Sequence, residues 1–513
     1  MLNAPTRMLP RPSRTITPRK AAWAVGCTAL MLAGCGGSDS AETPSPTPSP
    51  TPQPQLAAPA NFKVTAAYGG VESLLWNATP GATRYELYAD PDGQGPLPEA
   101  KLDDYSNSSP RGFNYVQSDS GGYVGSLVNT YAEPSARLNA TYRLRGCDAT
   151  GCGAFTDPQV FDIIQGTSHG FAAGYSPLST HSDASRLNPV ASQDGLTLAI
   201  RAQSTGTNTT VLVFTRTSKS QPWVQQASLR ATDYAVDKFA LSPDGGTLAV
   251  RAMKQITVTQ GTRVVTDAVH VYQRSGSAWT QQARLDTANA PSGCPQPCQA
   301  ELAEHMELAA GGNLLAISAQ IPAANGGAGS SSAVFTYART GATWAPQASL
   351  NAEGPVIVGM ALSGDGKTLA VTPRDVLQPA APSSVLVLAE NGNGAWAVQG
   401  RIPATLAVHM PAISGGPQYG SMALSSDGST LAVNASNLQN PQQCGGAAAT
   451  STWGISLYAR GNGTWQHQGQ AVIANGPPTG WATWAPWALA SDGNAVVYGG
   501  SMFVRTGGSW VCS

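Results

Sequence analysis

The chain has 513 residues, of which only 12% are charged, while glycine (56) and proline (38) are abundant. Lys and Arg number 29 against 30 Asp and Glu, and residues 1–34 hold five of the basic side chains and no acid; without that leader 24 basic residues (29 less 5) face 30 acidic ones, a net charge of −6. That sign excludes a nucleic-acid partner and a polybasic grip on anionic lipid. Low charge, many turn formers and no long helical pattern point to an all-β exported protein.

The leader begins with Arg7, Arg11, Arg14, Arg19 and Lys20, continues as an apolar run from Ala21 to Ala33, and closes on Leu32-Ala33-Gly34-Cys35. A basic stretch, a short apolar core and a small-residue cleavage site form a signal peptide over residues 1–34, too short to remain as an ordinary spanning helix. Leu-Ala-Gly-Cys resembles the lipobox of bacterial lipoproteins. The resemblance implies that Cys35 becomes the mature N-terminus, with a diacylglycerol on its thiol and an acyl chain of the palmitate type on its amine. Two or more chains on one residue anchor stably where one would not. In that family Gly36, where an Asp would favour the inner membrane, points to the outer membrane. Residues 35–56 are then the lipidated Cys and a linker in which Pro alternates with Ser and Thr from Thr43 to Gln55. Such a segment favours extended polyproline II and serves as a semi-rigid spacer.

Cys27 leaves with the signal, and six cysteines remain besides the anchor: Cys147, Cys152, Cys294, Cys298, Cys444 and Cys512. An even number in an oxidising compartment suggests three disulfides, and proximity favours Cys147–Cys152 and Cys294–Cys298, leaving Cys444–Cys512. Cys294-Pro-Gln-Pro-Cys298 also has roughly the spacing of a zinc knuckle, but no second Cys/His pair stands at matching spacing.

Residues 57–165 read as one small β-domain, with strands around Phe62-Lys63-Val64, Leu74-Leu75-Trp76 and Tyr85-Glu86-Leu87-Tyr88, then Leu138 to Arg145. The segment resembles a fibronectin type III domain: Trp76 matches the core Trp of the second strand, Tyr85 the Tyr of the third, and Leu138 with Tyr142 the tyrosine corner. It departs from that pattern in the long stretch from Pro91 to Pro134, and Cys147 and Cys152 would staple the hairpin after the Tyr142 strand. The resemblance implies a spacer or a generic binding module.

Residues 166–513 repeat, and the repeat governs the fold. Ser192-Gln-Asp-Gly-Leu-Thr-Leu-Ala-Ile200 returns as Ser242-Pro-Asp-Gly-Gly-Thr-Leu-Ala-Val250, Ser363-Gly-Asp-Gly-Lys-Thr-Leu-Ala-Val371 and Ser425-Ser-Asp-Gly-Ser-Thr-Leu-Ala-Val433. Looser copies are Ala310-Gly-Gly-Asn-Leu-Leu-Ala-Ile317 and Ser491-Asp-Gly-Asn-Ala-Val-Val497. Each is followed by an alternating strand, a Gly-rich turn and a Trp (Trp223, Trp279, Trp344, Trp396, Trp465, Trp510), and in the first five copies a Gln stands three places later (Gln226, Gln282, Gln347, Gln399, Gln468). Asp-Gly supplies the positive-φ hairpin turn, the Leu-Ala-Val strand suits burial between sheets, and the Trp on the outer strand covers the sheet edge. About six four-stranded units of this kind predict a β-propeller, with residues 166–187 leaving room for a seventh blade. The pattern resembles the FG-GAP or integrin-α-like repeats of bacterial surface proteins.

That family often holds calcium in Asp-rich loops. Here each turn offers one carboxylate (Asp194, Asp244, Asp365, Asp427, Asp492), too few for a calcium shell, and Asp90-Pro-Asp92-Gly has Lys101 where an EF-hand loop needs Glu. The six His (His169, His181, His270, His305, His409, His467) show no metal spacing, and no nucleophile elbow, Walker loop or dinucleotide fingerprint occurs. Glu304-His305-Met306-Glu307 is the densest polar cluster and reads as a solvated loop or rim face; His270 and His467 read as outer or edge positions. Trp481, Trp484 and Trp487 could form a sugar-stacking platform, with filling of the propeller's closure seam the favoured alternative. The expectation is therefore an all-β lipoprotein of the cell envelope, a fibronectin type III-like sandwich followed by a propeller. It has no catalytic residue, metal or cofactor and binds protein or glycan. The alternative is an envelope enzyme acting on polysaccharide or peptide in the propeller channel, revived by a His-containing or acidic cluster there.

Overall fold

The computed structural model describes residues 56–67, 71–90, 93, 100–106, 116–117, 122–126, 138–160, 190–202, 210–229, 235–258, 261–291, 300–322, 330–374, 384–403, 422–435, 443–444, 454–473, 487–498 and 501–512. The described residues are all-β and contain no α-helix. Cys35, the linker before residue 56, Cys294, Cys298, Trp481 and Trp484 lie outside them.

The N-terminal strands are β1 (Lys63–Ala67), β2 (Val71–Asn77), β3 (Arg84–Asp90), β4 (Ala100–Ser106), β5 (Val116–Gln117), β6 (Gly122–Ser126), β7 (Thr141–Cys147), β8 (Cys152–Phe155) and β9 (Gln159–Val160). They form two sheets, β1-β2-β6-β5 and β4-β3-β7-β8, with β9 also paired to β7. Period-two alternation sends Tyr142 and Leu144 of β7 inward, both fully buried, beside Trp76, Tyr85 and Leu87. Trp76 and Tyr85 meet edge to face at 5.4 Å, and the Tyr85 phenol accepts the Thr79 N–H at 2.7 Å. On the other face the buried Glu86 carboxylate accepts from Arg145 at 2.6 Å and Arg84 at 2.5 Å. Arg145 also lies over the Phe155 ring at 4.6 Å. Cys147 and Cys152 face each other in register and are disulfide-bonded, stapling the β7–β8 hairpin as the sequence suggests.

Among the described residues six further sheets follow in chain order. The first blade is β10 (Val190–Ala191), β11 (Thr197–Ala202), β12 (Thr210–Thr215) and β13 (Val224–Leu229); the second is β14 (Ala235–Leu241), β15 (Thr247–Val258), β16 (Gly261–Ser275) and β17 (Ala278–Leu285). The third is β18 (Glu301–Leu308), β19 (Leu314–Pro322), β20 (Ser330–Thr340) and β21 (Thr343–Asn351); the fourth is β22 (Val356–Leu362), β23 (Thr368–Arg374), β24 (Val385–Glu390) and β25 (Trp396–Ile402). The fifth comprises β26 (Met422–Leu424), β27 (Thr430–Ala435), β29 (Gly454–Gly461) and β30 (Thr464–Ile473), with β28 (Gln443–Cys444) added in parallel on the β30 edge. The sixth is β31 (Trp487–Leu489), β32 (Ala495–Tyr498), β33 (Ser501–Thr506) and β34 (Ser509–Cys512). First strands of successive blades lie side by side, β14 with β18, then β22, β26 and β31, which is the propeller layout.

Each Asp-Gly turn is held by more than its glycine. The Ser425 hydroxyl donates to Asp427 at 2.6 Å and accepts the Thr430 N–H at 2.9 Å, while the same Asp oxygen accepts the Ser429 N–H at 3.0 Å. The bonds repeat at Ser192/Asp194/Thr197, Ser242/Asp244/Thr247 and Ser363/Asp365/Thr368. Those Asp carboxylates are engaged inside their own turns. Neighbouring turns are also stitched by backbone bonds, Gln193 N–H to Pro243 C=O, Asp365 N–H to Ser426 C=O and Ser426 N–H to Ser491 C=O. Gly428, with φ +64°, sits so close to Thr368 of the preceding blade that a Cβ would lie 2.3 Å from its hydroxyl.

Between blades the Leu-Ala-Val strands are buried as expected, with Leu369, Ala370 and Val371 fully inaccessible. The Trp side chains depart from expectation: instead of covering sheet edges, those of the second to sixth blades pack into the interface with the preceding blade, and Trp223 packs with the sandwich. Trp465 joins Ala370, Val385 and Ile402 of the fourth blade, and its indole N–H donates to Gln399 at 3.2 Å. At this interface the recurrent Gln receives the next blade's Trp; the indole N–H groups of Trp279, Trp344, Trp396 and Trp510 make no such bond.

Candidate functional site

Among the described residues, two places gather polar side chains. The first is on the axial side, where β18 is interrupted. Leu302 faces Ala319 and Met306 faces Ile317, so Ala303, Glu304 and His305 stand opposite Ser318 alone. Ala303 takes φ +66° there, and the His305 N–H donates to the Ser318 hydroxyl at 2.8 Å. The flanking first strands carry smaller bulges, after Val236 in β14 and after Ile357 in β22. Bulges re-aim side chains, and these cluster at functional rims.

The bulge turns Glu304 towards the second blade. Its carboxylate bonds Lys238 Nζ and accepts from Arg251 Nη1 at 2.9 Å, and Lys238 also bonds the Glu304 carbonyl at 3.0 Å. His305 leans to the fourth blade through a backbone hydrogen bond with Ile357. Enclosure by protein, helped by the Lys238 charge, lowers the His305 imidazole to about 4. Enclosure alone raises the Glu307 carboxyl to about 8, although part of its surface meets solvent. A carboxyl so placed holds its proton at neutral pH and can donate a hydrogen bond or a proton. Glu304, His305 and Glu307, read as a solvated loop or rim face, are each partly exposed. They belong to a first strand beside the axis, because the third repeat's β18 is bulged where a regular strand would run on.

The second place is a crevice of about 350 Å³ where the sandwich meets the first blade. One wall is the approach to β7, with Leu138, Asn139 and Thr141; the other is the β12–β13 hairpin, with Arg216, Lys219 and Gln221. Asn139 ties the walls together. Its amide donates to the Trp223 carbonyl at 2.9 Å and its oxygen accepts the Trp223 N–H at 2.7 Å, as a paired strand would. Arg216 lies over the Trp223 ring at 4.3 Å, with Nε donating to the Gly195 carbonyl at 2.9 Å. Beneath, Leu138 and Tyr142 share one apolar cluster with Leu198, Phe214 and Trp223.

The remaining sequence candidates are dispersed. Trp487 lies on β31, 2% exposed, packed with Leu457, Phe503 and Trp510, so its ring offers no face to a ligand. Cys444 is on β28 and Cys512 on β34. His270, read as an outer or edge position, is buried on the third strand β16, with its ring 6.5 Å from that of Tyr272, whereas His467 is exposed on the outer strand β30. Glu86, Cys147 and Cys152 bring three ligand atoms within 4.8 Å of one another. The sulfurs are bonded to each other and the carboxylate to arginines, so this group does not suit a metal. The crevice was not apparent from sequence, since its walls come from segments 84 residues apart.

No family model matches the sequence, and no curated protein does. Among solved structures the chain is similar to a protein of Bacteroides uniformis described as a 6-phosphogluconolactonase (11% identity, 72% of this chain and 90% of that one, TM-score 0.38). It is also similar to the periplasmic gluconolactonase of Pseudomonas aeruginosa (15%, 71% and 88%, 0.37) and to the β-propeller domain of Cps50 (Swd1) from Myceliophteria thermophila (11%, 72% and 92%, 0.34). Likeness at this level transfers no activity. The propeller reading rests on the sheet order and on the packing between blades.

Proposed function

We propose that the protein is a lipoprotein of the cell envelope, anchored through acylated Cys35 at the outer membrane, and that it serves as a binding or scaffold module for protein or glycan. In this reading residues 57–165 are a fibronectin type III-like sandwich, supported by the order β1-β2-β6 in one sheet against β4-β3-β7-β8 in the other. Residues 166–513 are a propeller of six four-stranded blades. The observation that carries the binding reading is the crevice: an open, partly polar pocket at a junction of two parts, where ligand sites concentrate. The test places a photo-cross-linker at Ser220 on the crevice and, as control, at Val398 on the exposed outer strand β25, in chains expressed in the native envelope. A reproducible adduct at Ser220 and none at Val398 is expected; equal labelling at both, or none at either, refutes the reading.

A second reading, an envelope enzyme working at the axis on polysaccharide or peptide, is favoured by His305 and Glu307. A carboxyl that keeps its proton at neutral pH is suited to general acid catalysis. Hydrolysis of such a polymer by the full chain, abolished in Glu307→Gln, would establish it.

A further inference from the structure

From the second blade on, each Trp packs against the blade before it, but the first blade has no repeat before it. Its Trp223 instead shares one apolar cluster with Leu138, Tyr142 and Leu144 of the sandwich. Leu198, Ile200 and Phe214 of the first blade belong to that cluster as well. They hold the register positions of Leu248, Val250 and Tyr272, the side chains that the second blade turns towards the first. At the other end of the chain the pattern breaks off. On the face turned to the next blade, an Ala of the second strand and its cross-strand partner are fully buried, as Ala370 with Val387 and Ala432 with Leu457. In the sixth blade the equivalent pair, Val497 with Met502, is partly exposed. Among the described residues no apolar cluster joins the sixth blade to the first, so the seat on the first blade is filled by the sandwich.

We infer that the sandwich is the propeller's end cap: it occupies on the first blade the seat that a preceding blade occupies on each of the others, and the two parts unfold as one unit. Stacked repeats need a cap wherever an apolar face has no neighbouring repeat to cover it. Parts of a chain that meet through a small polar interface move independently, whereas a shared apolar core couples them. Here the core runs without a break from Trp76 and Tyr85 in the sandwich to Ile200 and Trp223 in the blade. The seat is also fixed by hydrogen bonds, since the Asn139 side chain accepts the Trp223 N–H at 2.7 Å and donates to the Trp223 carbonyl at 2.9 Å. The sandwich then has a structural task instead of a spacer's, whether or not the crevice beside it takes a ligand.

The test pulse-labels amide hydrogen exchange in the full chain across a urea series and follows peptides of β7 and β11 separately. In the parent both should lose protection at one midpoint. Glu86→Ala removes the buried carboxylate that Arg84 and Arg145 bind, on the sheet face away from the shared core. Tyr85→Phe removes only the acceptor of the Thr79 N–H and is the milder variant should the first fail to fold. Each lesion lies in the sandwich, yet it should lower the β7 and β11 midpoints by the same shift. Separate midpoints in the parent, or a fall at β7 with β11 unmoved in the variant, overturns the end cap.

Discussion

Substituting Gly428 by alanine tests how the blades are fitted together. Gly428 (φ +64°) and Gly276 (φ +61°) share a left-handed backbone, but a Cβ on Gly276 meets nothing within 4 Å. On Gly428 the same atom would stand 2.3 Å from the Thr368 hydroxyl, 2.7 Å from its Cβ and 3.2 Å from the Ser363 Cβ. Thr368 and Ser363 are buried, and the Thr368 N–H is bonded to the Ser363 hydroxyl at 2.9 Å, so neither can step aside. The left-handed conformation costs an L-residue about 1–2 kcal/mol, and forcing extra volume into a packed site adds about 1–3 kcal/mol. Gly276→Ala should therefore lose about 1–2 kcal/mol and Gly428→Ala about 2–5 kcal/mol. Urea unfolding of the full chain, followed by tryptophan emission, reads both as shifts of the midpoint at constant slope. Equal shifts, or a larger loss at Gly276, would refute the claim that these turns are interlocked from blade to blade.

Four further outcomes follow from the same geometry. Asn139→Ala leaves the Trp223 N–H and carbonyl without their amide partner and should lower stability by about 1–3 kcal/mol, with earlier proteolytic cutting between sandwich and propeller as the readout. Glu307, raised from 4.5 to about 8, keeps in the folded chain a proton that the unfolded chain has lost; stability is full below about pH 4.5 and falls as pH rises towards 8. Glu307→Gln should then raise the melting temperature relative to the parent at pH 8 and leave it unchanged at pH 4. His305 has the opposite sign: lowered from 6.5 to about 4, it is neutral in the fold, so stability falls as pH drops from 6.5 towards 4, and His305→Gln should remove that loss. Replacing Cys147 and Cys152 by Ser opens a short loop and should cost about 2 kcal/mol on the loop-entropy scale, measured as a urea midpoint without reductant.

Much of the blade was legible in the sequence because its signals are local. Asp-Gly turns, apolar Leu-Ala-Val strands and the recurring Trp each follow from neighbouring residues and a fixed spacing. The Ser and Thr that flank each Asp-Gly were visible in the repeat, but their part in the turn depends on hydroxyl geometry that spacing does not specify. The Trp–Gln pairing joins residues of different blades, Trp465 to Gln399, and so required the fold. The bulge that carries Glu304 and His305 was hidden for a related reason. The third repeat has lost its Asp, which suggested an exposed segment, whereas the bulge opposite Ser318 is set by how β18 fits between its neighbours. The crevice, formed by a sandwich turn and a blade hairpin, has no contiguous signature at all.

The central claim, an envelope-anchored binding module, is tested most directly by cross-linking in native envelopes with the parent chain, Cys35→Ser and Lys219→Glu side by side. The account predicts a partner glycan or protein joined to the parent chain in the membrane fraction. It should be lost from Lys219→Glu with anchoring intact, and lost from Cys35→Ser together with the membrane association. A Cys35→Ser chain that stays in the membrane, or a Lys219→Glu chain cross-linked as fully as the parent, would contradict it.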